Sequence, residues 1–215
     1  MPACRQAVLD AALALAAVAV ALSVRPWRIV GARALPWPWL AAWAITPLLW
    51  GLDRYAAVSV LPPMSGAALL VLLAGWPLAI LAFVPAAVIT VIVGDVGWHD
   101  GLHRLVWLGI VPATFVLALG AAVRRWLPRD LFSYILGRGF AATLVAIVVA
   151  GALALALDPS TSAASADDLF VGRLLLGFGE AVLTGMVTAS LVAFRPHLLA
   201  TYADRVYLPT ANAAR

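Results

Sequence analysis

The chain has 215 residues, 65% of them apolar and only 11% charged, with a mean hydropathy of +1.03 and a formal net charge of +4. A water-soluble domain carries about 25% charged residues to wet its surface, so that class is excluded and an all-α, polytopic integral membrane protein is expected. The basic balance comes entirely from arginines beside apolar runs, a pattern of membrane orientation rather than of nucleic-acid binding, and the single cysteine, Cys4, excludes an internal disulfide framework.

Apolar runs between charged breaks predict seven spanning helices, over residues 7–24, 36–52, 55–74, 77–94, 104–123, 139–157 and 169–194. Each has the length that roughly 30 Å of hydrocarbon requires. The first run follows Arg5 and has the look of a secretory leader. Its length, the lack of a small-x-small cleavage site before Arg25 and the arginines beyond it favour a retained helix. Pro36, Pro38 and Pro47 interrupt the second. The third and fourth come from one stretch, residues 55–94, without a charged side chain. As a single helix it would measure about 60 Å, so it must cross twice, turning at Gly75-Trp76-Pro77. Pro62-Pro63 predicts unwinding at the outer end of the third span, which a membrane tolerates only against protein or a water-filled cavity. Residues 158–168 read as a polar loop and 195–215 as a tail. No linker divides the chain, so one domain, 1–215, is expected.

Alternating the seven spans sorts the arginines. Arg25, Arg28, Arg33, Arg124, Arg125, Arg129, Arg138, Arg195, Arg205 and Arg215 fall on one side; Arg5, Arg54, Arg104 and Arg173 fall on the other, with most of the acids. The arginine-rich side is cytoplasmic by the positive-inside rule, which places the N-terminus outside and the C-terminus in the cytoplasm.

Polar groups inside apolar spans are where such a protein keeps its chemistry. Glu180 is the acid that this reading places deep in a span, and helical spacing aligns Arg173, Gly177, Glu180, Thr184 and Thr188 on one stripe. Glu180, Arg173 and Thr184 then serve either a cation pathway or a structural anchor between helices. The second candidate is Asp95-Val-Gly-Trp-His99-Asp100-Gly-Leu-His103-Arg104, expected as an external loop. His99 and His103, four apart, suit one metal ion, with Asp95 or Asp100 as an oxygen ligand. The alternative is a pair of interfacial histidines beside Trp98 and Trp107. The glutamate of a zinc-protease motif is missing, with Asp100 in its place. Trp27, Trp37, Trp39, Trp50, Trp98, Trp107 and Trp126 read as interfacial anchors. The chain contains no lysine and therefore no phosphate-binding loop of the Gly-Lys type. No catalytic residue or resident cofactor is assigned, and an enzyme is not expected.

Three segments carry a family resemblance: Pro63-Met-Ser-Gly-Ala-Ala-Leu with Gly75-Trp-Pro, the Gly94-Asp-Val-Gly turn, and Gly177-Phe-Gly-Glu-Ala-Val-Leu-Thr-Gly-Met-Val. Together they resemble the cobalt/nickel-type membrane subunit of energy-coupling factor transporters. The tail Arg195-Pro-His-Leu-Leu-Ala-Thr-Tyr looks like a proteobacterial, permease-like branch. The resemblance spans residues 55–208. It implies seven helices, an external N-terminus, a bacterial inner-membrane location, a transition-metal cation as substrate, and separate ATPase and coupling subunits as partners. The family's metal-binding members begin Met-His and carry a second histidine in a Thr-Ser-x-His run. Here Pro2-Ala3-Cys4 and Ser65-Gly66-Ala67-Ala68 stand at those places, so that ligand set is gone. A non-transporting accessory or assembly protein that kept the fold is the alternative.

Overall fold

The structure is a computed structural model and describes residues 2–26, 37–55, 63–157, 166–202 and 207. Residues 158–165 of the expected loop, Pro62, and the arginines at 28, 33, 205 and 215 lie outside the described residues, and the last three residues of that loop, 166–168, are helical instead. Among those described, all regular structure is helical: α1 (Pro2–Ser23), α2 (Trp37–Trp50), α3 (Leu52–Tyr55), α4 (Ala67–Ala74), α5 (Trp76–Val93), α6 (Trp98–Arg104), α7 (Val111–Trp126), α8 (Ala142–Leu157) and α9 (Ala166–Phe194). Wider π-helical turns over Leu105–Ile110 and Ser133–Ala141 lead into α7 and α8, and a short 3-10 turn, Pro196–Leu198, follows α9.

Five segments of the described residues are long and apolar enough to cross a bilayer: Cys4–Ser23, Trp76–Val93, Trp98–Trp126, Ser133–Leu157 and Phe170–Phe194. The other two expected spans fall short of that length among the described residues. At 14 residues, α2 is about 21 Å long, short of the hydrocarbon thickness. Of the third, residues 56–62 lie outside those described, and the eight residues of α4 are helical after the Pro63–Gly66 stretch. Two spans also start nearly two turns earlier than charge spacing suggests. Trp98–Arg104 is not a loop but the first turns of the fifth helix, because Gly101 lies flat against α5, where a Cβ would overlap Val91. The sixth starts near Ser133, whose amide is capped by Asp130 Oδ1 at 2.6 Å, so Tyr134 and Arg138 are helical.

Burial is reversed relative to a soluble protein. Leu15 is 72% exposed and Ile92 70%, while Asp10, Thr46, Thr90, Thr143, Glu180, Thr184 and Thr188 are buried. An apolar exterior of this kind is stable against lipid and would aggregate in water. Within the bundle α9 packs on α8, α8 on α7, and α1, α2 and α4 on α5. Small residues make the α8–α9 contact close: a Cβ on Gly177 would sit 3.2 Å from Val148, and one on Gly139 would sit 3.3 Å from Thr188.

Proline supplies much of the internal wiring. Pro85 removes one rung of α5, and in that turn the carbonyl of Ala82 accepts the Trp43 indole N–H at 2.9 Å. Pro112 has no N–H to offer the carbonyl of Leu108, four residues before it; that carbonyl is taken by Ser65 instead.

Candidate functional site

The break before α4 is the centre of the molecule. Gly66 has φ +66°, a left-handed conformation that a side chain strains, and from there α4 begins with unpaired amides. In hydrocarbon each such amide costs kilocalories unless paired. The Glu180 carboxylate, from α9, satisfies two: Ser65 N–H donates to Oε2 at 2.9 Å and Gly66 N–H to Oε1 at 2.7 Å. Ser65 is itself saturated. Its hydroxyl donates to Leu108 O at 2.6 Å and accepts from Ala67 N–H at 3.1 Å, and its carbonyl accepts the Trp50 indole N–H at 2.8 Å. Glu180 is 3% exposed. The negative carboxylate also sits at the positive end of a short helix.

The other end of α4 is held as well. Gly75, at φ +85°, turns the chain sharply into α5 and donates its N–H to Val71 O at 2.9 Å. The last carbonyls of α4 are capped by the segment after α9. Ala200 N–H donates to Leu73 O at 3.2 Å, and the Thr201 hydroxyl to Leu72 O at 3.1 Å. Thr201 Oγ1 also lies 2.9 Å from the Tyr134 hydroxyl, and Tyr134, Tyr202 and Tyr207 pack ring to ring, with centroids 4.9 to 5.4 Å apart. One helix with its tail, α9, thus clamps both ends of the half-helix.

Polar side chains gather again at the end of the bundle that carries the start of α1. Asp10, 1% exposed, accepts the Trp107 indole N–H at 3.0 Å, and His103 Nδ1 lies 3.0 Å from its other oxygen. Arg104 forks onto Asp53 with contacts of 2.6 and 2.7 Å and also donates to the Trp50 carbonyl. Burial pushes the Asp53 carboxyl up, but the Arg104 hydrogen bonds and charge outweigh it, and the net shift is below the ordinary value of 3.8. A carboxyl lowered on folding stabilises the fold above its unfolded pKa and loses that contribution as pH falls through the folded one. Stability is therefore expected to stay level from neutral pH to about 5 and to fall below about 4, a fall that Asp53→Asn removes. A thermal-melt series across pH checks this; an unchanged acid limb in the variant contradicts it.

The sequence candidates separate accordingly. Glu180, Thr184 and Thr188 do share a buried face, as the stripe predicts, and Glu180 is used in full as an anchor. His103 turns into the bundle toward Asp10. His99 is exposed, with Nδ1 3.8 Å from Asp100 Oδ1, and Asp95 is exposed at φ +47°. Among the described residues no group of three or more His, Cys, Asp or Glu side chains converges on a metal-sized site. The tryptophans divide too: Trp98 and Trp126 are exposed as anchors should be, whereas Trp39, Trp50 and Trp107 are buried, the last two as hydrogen-bond donors.

Asp10 is the residue that sequence reasoning missed, since Glu180 alone was assigned as a deep acid. The signal was present: Asp10 interrupts the first apolar run one turn inside it. Arg173 is placed differently from its stripe partners. Its guanidinium borders a small recess of about 20 Å³, partly open to its surroundings and lined by Pro63, Ser65, Trp107, Leu108, Ile147 and Gly151 among others. Searches of family models, curated proteins and solved structures return no match to this chain.

Proposed function

We propose that the chain is a membrane subunit of an energy-coupling factor type transporter, a permease-like substrate-binding component of a bacterial inner membrane working with separate ATPase and coupling subunits. The observation that carries this reading is the half-helix at the centre of the bundle. Discontinuous helices whose ends meet a recess are how transporters build substrate sites in hydrocarbon. Two of the motifs behind the resemblance, Pro63–Leu69 and Gly177–Val187, also meet at one contact, the Glu180 carboxylate on the Ser65 and Gly66 amides. A transition-metal cation, the substrate that the resemblance implies, would have to be held by His99 with Asp95 or Asp100, because His103 is engaged by Asp10.

Orientation belongs to the same proposal: seven passes, N-terminus outside, arginine-rich loops and the C-terminus in the cytoplasm. With Cys4 replaced by serine, a cysteine at Ser162 is expected to react with an impermeant maleimide in intact cells. One at Arg129 should react only after permeabilisation. The opposite pattern overturns the orientation.

One observation favours the accessory-protein reading. Glu180 occupies the Ser65 and Gly66 amides that lead into α4, so those two donors are taken and not open to a ligand. Purifying the tagged chain from its native membranes decides between the two. Stoichiometric ATPase and coupling subunits support transport; their absence, with the chain intact and folded, supports the accessory role.

A further inference from the structure

We infer that the recess around Arg173 is a binding site for an oxyanion, a carboxylate or phosphate carried on an apolar body. Arg173 lies seven residues before Glu180 on α9, about 10 Å along the helix axis. Its guanidinium has no hydrogen bond or ion pair with any described residue, although it is half-buried about one turn inside the apolar span Phe170–Phe194. A lone cation there is costly, and in membrane proteins such groups face a partner or a ligand.

The described acids Glu180 and Asp10 are committed elsewhere. Both oxygens of Glu180 accept the Ser65 and Gly66 amides, and both oxygens of Asp10 are taken by Trp107 and His103. Among the described residues no acid lines the recess, and its two other polar liners are already used: Ser65 by Leu108 O and Ala67 N–H, and the Trp107 indole by Asp10. Its remaining walls are apolar, with Pro63, Leu108, Pro112, Ile147 and Leu176. The chain also makes room for the cation. Gly151 carries the side chain across its backbone, and a Cβ there would lie 2.9 Å from Arg173 Cδ. One planar, five-donor cation facing an otherwise apolar recess selects a carboxylate or phosphate, which guanidinium binds through two parallel hydrogen bonds. The same charge repels a metal cation. The site holds whether or not the chain transports, since it rests on Arg173 and its walls alone.

Two sources supply that chemistry, a phospholipid headgroup or a free amphipathic acid, and two arms distinguish them. In the first, full-length protein purified in a non-ionic detergent is examined by native mass spectrometry for retained phospholipid. In the second, delipidated protein is titrated with sodium octanoate and, separately, inorganic phosphate, with the melting temperature as readout. Wild type is expected to respond in at least one arm, and Arg173→Gln to lose that response by roughly tenfold or more in affinity or occupancy. Gly151→Ala, which keeps the charge but displaces the side chain, should weaken it as well and serves as the test if Arg173→Gln does not fold. No response of the wild type in either arm, or an equal response of wild type and variants, overturns the site.

Discussion

Replacing Glu180 by leucine is expected to destabilise the fold by roughly 2–6 kcal/mol, because two buried amides lose their acceptor at about 1–3 kcal/mol each. That is a large share of the ~5–15 kcal/mol that holds a typical domain together. Glutamine should fall in between. Its amide carries one carbonyl oxygen and so keeps one of the Ser65 and Gly66 bonds, while its NH2 faces the other donor. The expected order of melting temperature and of folded yield in detergent is therefore wild type, then Glu180→Gln, then Glu180→Leu. If the carboxylate instead served a passing cation, both variants would fold normally and both would lose function, glutamine included. Equal tolerance of both substitutions would mean that the side chain is not the cap the geometry describes.

Asp10→Ala is expected to have the next largest effect. It leaves the buried Trp107 indole N–H without an acceptor and His103 without its partner, a loss of roughly 1–3 kcal/mol for each group so stranded. Asparagine should restore most of the stability. Its carbonyl accepts from Trp107, and its NH2 donates to Nδ1 when the His103 proton sits on Nε2. A thermal melt in which Asp10→Ala equals wild type, or in which asparagine is no better than alanine, contradicts this network.

The parts legible from sequence are those that hydrophobicity and arginine placement report directly. Five helices lie where apolar runs predict them, and Gly75 turns the hairpin. Pro62-Pro63 correctly signals an unwound segment, though the helix that follows it is shorter than a span. The boundaries failed where polar residues continue a helix. The run from Trp98 to Arg104 looks like a loop by charge, yet Gly101 permits contact with α5 and the helix simply begins earlier. Partners at long range were not legible. A stripe shows that Glu180 faces inward; it does not show that the acceptor geometry fits two amides more than one hundred residues earlier. Nor does spacing reveal that His103 is drawn away from His99 by Asp10, because that choice is set by how α1 packs on α6.

Amide hydrogen exchange over residues 63–75 tests the Glu180 cap most directly. In wild type the Ser65 and Gly66 amides are bonded to a carboxylate and should exchange slowly, with the rest of α4 held by the capping tail. In Glu180→Leu the same peptide should exchange markedly faster while the peptide covering α5 stays protected. Fast exchange of residues 63–75 in wild type, or identical protection in the variant, would show that Glu180 does not hold the half-helix in place.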